Sequence, residues 1–241
     1  MKRYFIELAY KGTNYHGWQV QPNAITIQQV LEEALSKKLQ EQIKITGAGR
    51  TDTGVHAEFF VAHFDTDKEI SEKTIFSLNR ILPKDISVFN IKAVPSDKHS
   101  RFDAKSRTYE YRISTIKNPF HNEISAFIPA EYNLELLNFA SDILLKHTDF
   151  TSFSKLHTDT KTNNCDIIEA HWVKEKGFII FRISADRFLR NMVRAIVGTI
   201  LEVNSGKTTL EEFDKIILAK NRNKAGKSAD AEGLFLVDIK Y

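Results

Sequence analysis

Ile43-Lys44-Ile45-Thr46-Gly47-Ala48-Gly49-Arg50-Thr51-Asp52-Thr53-Gly54-Val55-His56-Ala57-Glu58-Phe59-Phe60-Val61-Ala62-His63-Phe64-Asp65 reads as two strands, 43–46 and 59–65, joined by a polar loop with three glycines. Working outward, residues 3–10 carry the aromatic and aliphatic side chains of a strand, and Lys11-Gly12-Thr13-Asn14 is a turn signal. Thr26 is a candidate N-cap, because Ile27, Val30, Leu31, Ala34, Leu35 and Leu39 follow it at helical spacing. Downstream, Ser71 opens a helix that Pro83 stops after Leu82, and residues 86–94 form another strand. The order is β-α-β-β-α-β. The second half repeats it: strand 108–114, helix 134–147, strands 167–174 and 178–185, helices 188–203 and 209–221, and a last strand 234–241.

This repetition predicts an α+β fold of two ferredoxin-like lobes, each a mainly antiparallel sheet backed by helices, meeting at a central cleft. The expected lobes are residues 1–105, carrying the Gly-rich loop, and 106–241, with a crossover over 93–106. No low-complexity linker separates them, so one continuous unit is expected.

Composition supports a folded chain: of 241 residues, 42% are hydrophobic and 27% charged. A chain of this size buries roughly 70–75% of its unfolded surface and needs no staples. A single cysteine, Cys165, excludes an internal disulfide and a Cys-rich zinc site, and suits a reducing compartment. Glu7 interrupts any apolar run at the start, and no segment approaches the roughly 20 apolar residues of a membrane span. A cytoplasmic protein is expected.

With 34 Lys+Arg against 31 Asp+Glu, net charge alone argues for no partner. Local clustering says more. Lys98, Arg101, Lys105, Arg107 and Arg112 stand among Phe102, Tyr109 and Tyr111, and Lys220, Arg222, Lys224 and Lys227 form a second group. Cations neutralise phosphates and aromatic rings stack on bases, which suits RNA. For any one cluster the ordinary alternative is a solvated, salt-bridged surface.

The Gly-rich loop presents Arg50, Asp52 and His56 together. It lacks the third glycine of a dinucleotide fingerprint and the Gly-Lys-Ser/Thr of a phosphate loop. His56-Ala57-Glu58 matches half of a zinc deaminase signature, whose two cysteine ligands this chain lacks. His63 reads as a sheet histidine, and neither a metal nor a nucleotide cofactor is indicated. Asp52 with a nearby arginine serves nucleophilic chemistry or simply fixes a turn. On the expected helix 188–203, Arg187, Arg190 and Arg194 fall on one face. Arg194 has apolar neighbours, so it should be partly buried and need an acidic partner, for which Asp52 is one candidate.

Gly49-Arg50-Thr51-Asp52-x-Gly54-Val55-His56 resembles the catalytic segment of the tRNA pseudouridine synthase A family. Other landmarks of that family follow in order. They are Tyr10-x-Gly12-x-x-Tyr15-x-Gly17-Trp18-Gln19-x-Gln21, Thr26-Ile27-Gln28, His99-x-Arg101-Phe102-x-Ala104 and Arg107-x-Tyr109-x-Tyr111. Asp149-Phe150-x-Ser152-Phe153, Phe188-x-x-x-Met192-Val193-Arg194-x-Ile196-Val197-Gly198 and Glu232-Gly233-Leu234-x-Leu236 complete the series, which spans nearly the whole chain. Two departures stand out: Thr162-Asn163-Asn164-Cys165 lacks a basic residue the family often has there, and Asp230 replaces a common proline.

The resemblance implies isomerisation of uridine to pseudouridine at nucleotides 38, 39 and 40 of the tRNA anticodon stem-loop, by a homodimer without a cofactor. It implies that Asp52 is the nucleophile, that Tyr109 stacks on the target base, that Arg194 pairs with Asp52, and that Arg50 assists base extrusion. Lys98, Arg101, Arg107 and Arg190 would hold the RNA. The N1–C1′ bond breaks, the uracil turns, and C5 bonds to C1′ while its proton passes to solvent. Ribose C1′ and uracil C6 are both sensible points of attack, and a route that begins by removing a sugar proton is a third. Flipping the base costs a few kcal/mol of stacking, which Arg50 and Tyr109 would offset. The rival is a non-catalytic RNA-binding or RNA-folding protein; the presence of both Asp52 and Arg194 argues against it. Tyr15 and Trp18 suit either a cleft or the core, and His56 is equally ambiguous.

Overall fold

The computed structural model describes residues 1–155 and 161–241. Contacts divide the chain into two compact units, Met1–Lys105 with Leu236–Tyr241, and Ser106–Phe235.

In the first unit, strand β1 (Lys2–Tyr10) pairs antiparallel with β3 (His56–Thr66) on one side and β4 (Ile86–Val94) on the other. A two-residue strand, β2 (Thr46–Gly47), pairs with β3, which makes the order β4-β1-β3-β2 of a ferredoxin-like lobe. Tyr4, Ile6, Leu8 and Tyr10 alternate along β1 and are buried. Helix α1 (Ile27–Leu39) begins where expected: the Thr26 hydroxyl accepts the Gln29 N–H, and Ile27, Leu31 and Leu35 are fully buried at four-residue spacing. Each such burial contributes about 1.5–3 kcal/mol. Helix α2 (Glu72–Ile81) opens with a Ser71–Thr74 capping box and ends before Pro83.

Residues 43–45 are not a strand. Their backbone groups are satisfied from α1 instead: Glu32 accepts the Ile45 N–H at 3.1 Å, Gln28 donates to the Ile45 carbonyl at 3.1 Å, and Ser36 accepts the Ile43 N–H at 2.9 Å. A backbone already bonded to side chains has no ladder to offer.

In the second unit, β8 (Phe178–Ala185) is flanked antiparallel by β5 (Ser106–Ser114) and β7 (Ile167–Glu175), with β6 (Ala126–Phe127) parallel to β5. Lys176 and Gly177 both have positive φ and turn the β7–β8 hairpin. Helices α3 (Leu134–Leu144), α4 (Met192–Asn204) and α5 (Leu210–Leu218) complete the unit. Trp172, Phe181, Leu137, Ala140, Ile196 and Ile200 form its core.

Strand pairing within each unit is otherwise antiparallel, which makes the chain an α+β protein. Strand β9 (Leu234–Lys240) starts in the second unit and ends in the first. The expected boundary put residues 236–241 with the second lobe. They belong to the first, because Lys105 N–H donates to the Lys240 carbonyl at 2.7 Å, the Tyr241 hydroxyl donates to Ser100 O at 2.7 Å, and the Tyr241 ring lies 5.3 Å from that of Phe5.

The expected helix 134–147 ends at Leu144. The expected helix 188–203 starts only at Met192, because Asn191 sits in the left-handed region at φ +66. Arg187 and Arg190 therefore precede the helix and share no helical face with Arg194.

Candidate active site

The Gly-rich loop is pinned from several sides. Ala48 N–H donates to Val61 O at 2.8 Å, Trp18 N–H to Thr51 O at 3.2 Å, and Gly54 N–H to Tyr15 O at 3.4 Å. The buried Thr51 hydroxyl is 2.9 Å from that of Tyr10, and His56 Nδ1 accepts the Gly12 N–H at 3.1 Å. A side chain at Gly12 would place its Cβ 2.0 Å from Val55 O. At Gly17, whose φ is +83, it would fall 2.4 Å from Thr51 O. The spacing of Tyr10, Gly12, Tyr15, Gly17 and Trp18 is thus the negative image of residues 51–56.

Between these anchors Asp52 is half-buried, its carbonyl accepting the Val55 N–H at 3.2 Å, while Arg50 is exposed. A carboxylate on a fixed backbone with part of its surface in solvent is placed for nucleophilic or acid–base work. His56 is 1% exposed, and its Nδ1 is engaged in holding Gly12. Tyr15 and Trp18 are core: the Tyr15 hydroxyl donates to Asp85 at 2.6 Å, and Trp18 stacks on Phe60 at 4.1 Å. Burial and the Asp85 bond both push the Tyr15 phenol up. Buried His63 bonds Ser100 at 2.8 Å, as a sheet histidine should.

In the second unit Tyr109 is half-buried on β5, and Phe188 meets its ring edge-to-face at 5.1 Å. Such an edge contact fixes the plane of the Tyr109 ring. In the sequence Phe188 stands out only as a motif residue; its contact with Tyr109 is a tertiary one. Arg107 donates to Asp186 O at 2.8 Å. Arg194, half-buried on α4, donates from Nε to Ala229 O at 2.7 Å, and Ala229 N–H returns a bond to Arg194 O at 2.9 Å. Asn191 reaches Ser228 Oγ at 2.6 Å, and Gly198 leaves room for Lys227 O, so α4 and residues 227–229 are locked together. Arg190 is exposed.

Both departures have a structural account. Asp230 has φ −64, the angle a proline ring would impose, so the backbone keeps the shape proline would give it. Arg187 donates to Thr162 O at 3.3 Å, bringing a guanidinium beside the stretch that lacks its own cation. Cys165 is buried, which pushes its thiol up to about 12 and makes it inert.

The basic clusters separate into two kinds. Lys98, Arg101, Lys105, Lys220, Lys224 and Lys227 are exposed; Lys98 lies 3.8 Å from Asp103 and Lys220 2.9 Å from Asp149. Arg112 is engaged within the protein: it pairs with buried Glu110 at 2.7 Å, and its guanidinium covers Phe235 at 4.1 Å. Arg182 pairs with the same carboxylate. Burial acts to raise the Glu110 pKa, but hydrogen bonds from Arg182 and Arg112 hold it below the usual range. Arg222 is spent on Ala225 O, Gly226 O and Ser228 Oγ. Among the described residues, no three His, Cys, Asp or Glu side chains are placed to hold a metal, and no helix is long and apolar enough to cross a membrane.

The sequence model of a family described as tRNA pseudouridine synthase matches residues 8–103 and 144–241. The chain belongs to that family. Relatives named tRNA pseudouridine synthase A support this along its whole length. Those of Parabacteroides distasonis and Bacteroides thetaiotaomicron are each 52% identical over 100% of this chain and 96% and 91% of their own. That of Ruminiclostridium cellulolyticum is 39% identical, covering 100% of both chains. A solved structure of an unknown protein from Galdieria sulphuraria covers 86% of this chain and 92% of its own at 10% identity and a TM-score of 0.25, too distant to inform the fold. Within the matched residues, Gly49-Arg50-Thr51-Asp52-x-Gly54 is the pinned loop, and Met192-Val193-Arg194 is the start of α4.

Proposed function

We propose that this chain isomerises uridine to pseudouridine at nucleotides 38, 39 and 40 of the tRNA anticodon stem-loop, and that Asp52 is its nucleophile. The observation that carries the proposal is the fixed loop at residues 47–56. It carries one half-buried carboxylate on a backbone that accepts from Trp18 N–H at Thr51 O and donates from Gly54 N–H to Tyr15 O, in a chain 52% identical to a relative named tRNA pseudouridine synthase A. Asp52 attacks the flipped nucleoside at ribose C1′ or uracil C6; the N1–C1′ bond is broken, the C5–C1′ bond is made, the bond to Asp52 is cleaved to restore its carboxylate, N1 takes up a proton and C5 releases one. No electrons are gained or lost overall, so the step needs no oxidant or reductant. Arg194, anchored through Ala229, is assigned the role of offsetting the nucleophile's negative charge. Tyr109, its ring held by Phe188, stacks on the uracil. Exposed Arg50 occupies the space the base leaves.

The two ferredoxin-like lobes work as one catalytic unit, in a cytoplasmic homodimer. Lys98, Arg101, Arg107 and Arg190 hold the stem phosphates. Mapping pseudouridine in an unmodified tRNA transcript after incubation tests the assignment. Modification confined to 38–40 supports it. Modification elsewhere in the tRNA, or none from a protein that binds the transcript, rejects it; the latter result favours a binding-only protein.

A further inference from the structure

We propose that Phe102, on the loop before β5, is a stacking platform for an unpaired base of the anticodon loop, a contact additional to the one at Tyr109. The inference rests on the tRNA substrate proposed above.

Phe102 is 74% exposed, yet its backbone is held firmly. His99 Nδ1 accepts the N–H groups of both Arg101 and Phe102, at 3.1 and 3.3 Å. His99 N–H donates to Asp103 Oδ2 at 2.9 Å, and Asp103 N–H returns to His99 O at 3.1 Å. Between them Ser100 is fully buried. Its Oγ donates to Thr46 O at 2.8 Å, and its carbonyl accepts the Tyr241 hydroxyl. Thr46 opens β2, which leads straight into the Asp52 loop, so ring and carboxylate are referenced to the same strand. The backbone that carries this exposed ring is therefore fixed in place by its neighbours' bonds.

The surroundings select a nucleobase. His63 meets His99 edge-on at 4.6 Å, and His99 backs Phe102 at 4.2 Å with 33° between the rings. Because its Nδ1 accepts two N–H groups, His99 is the neutral imidazole, in keeping with burial and Arg3 pushing its pKa down. The Arg101 guanidinium lies 5.7 Å from the Phe102 centroid, and Lys98 and Lys105 are exposed nearby in the chain. An exposed ring with a guanidinium over it and lysines close to it in the chain suits a base and its phosphates; an apolar protein partner would need apolar neighbours here.

The test compares the binding of unmodified tRNA transcript by wild type, Phe102→Ala and Phe102→Trp across a salt series. Base–aromatic stacking predicts that Phe102→Ala weakens binding about tenfold with its salt slope unchanged, while Phe102→Trp binds at least as tightly as wild type. Affinity of Phe102→Ala within twofold of wild type, or Phe102→Trp as weak as the alanine variant, overturns the proposal. A change of oligomeric state in Phe102→Ala, read by sedimentation, also overturns it and assigns the ring to a second copy. Tritium release from 5-tritiated uridine in the same samples separates the two claims. Release by wild type with unaltered Phe102→Ala affinity rejects the platform alone; a wild type that neither binds nor releases rejects the tRNA substrate and the platform with it.

Discussion

Replacing Gly17 by alanine should disable the active site without touching a reactive group. Gly17 has φ +83, a region that costs an L side chain about 1–2 kcal/mol. Its added Cβ would also lie 2.4 Å from Thr51 O, against ordinary contact at 3.4 Å or more, and 3.2 Å from the Asp52 carbonyl carbon. The Thr51–Asp52 peptide must then retreat by roughly 1 Å, at an overpacking cost of about 1–3 kcal/mol. Together these give a stability loss of about 2–5 kcal/mol. A displacement of that size at a catalytic group costs about 100-fold in rate. Gly177 is the internal control, because its φ is +84 but nothing lies within 4 Å of its added Cβ. Gly177→Ala is expected to lose only about 1–2 kcal/mol by denaturant melts and no activity. Gly17→Ala is expected to lose about 100-fold in kcat, with tRNA affinity within twofold. Equal kcat in the two variants would refute the claim that the Gly17 contact positions Asp52.

Acid should expose His63. Its pKa is pushed down to about 4, first by burial and then by His99 and Arg3, against an unfolded value near 6.5. The unfolded chain therefore takes up the proton first as pH falls, so stability complete above 6.5 declines by about 3 kcal/mol toward pH 4. Urea melts of His63→Gln should show a flatter pH slope over that window; an unchanged slope contradicts the assignment. Glu110→Gln strips the carboxylate charge from Arg112 and Arg182 and is expected to cost about 2–4 kcal/mol in thermal or urea unfolding, with a loss under 0.5 kcal/mol counting against the network. Neutralising Lys98, Arg101 and Lys220 together should reduce the salt slope of tRNA binding by about two to three, and an unchanged slope returns them to an ordinary solvated surface.

Where side-chain pattern alone decides the backbone, the sequence was sufficient. Strands β4 and β8 and helix α1 fall where alternation, helical spacing and the Thr26 cap put them. Two elements were misread because local bonds outweigh pattern. Ile43 and Ile45 look like strand residues, but Ser36, Gln28 and Glu32 of α1 take their backbone groups. The apolar periodicity around Phe188 continues into α4, but the left-handed Asn191 delays the helix and removes Arg190 from it. At the site, the glycine spacing marked the Asp52 loop, while the use of each glycine, the anchoring of Arg194 on Ala229 and the edge of Phe188 on Tyr109 depend on tertiary contacts. Arg112 and Arg222 counted in the basic clusters, and their internal partners were not legible because charge in sequence does not reveal them. His56 could be assigned to Gly12 only once both strands were in place.

Tritium release from tRNA carrying 5-tritiated uridine, comparing wild type with Asp52→Ala and no added metal, tests the central claim most directly. Wild type is expected to release tritium, and Asp52→Ala to release none while still binding the tRNA. Release by Asp52→Ala at the wild-type rate, or none by a folded wild type that binds tRNA, would contradict the assignment of Asp52 as the nucleophile of an isomerisation.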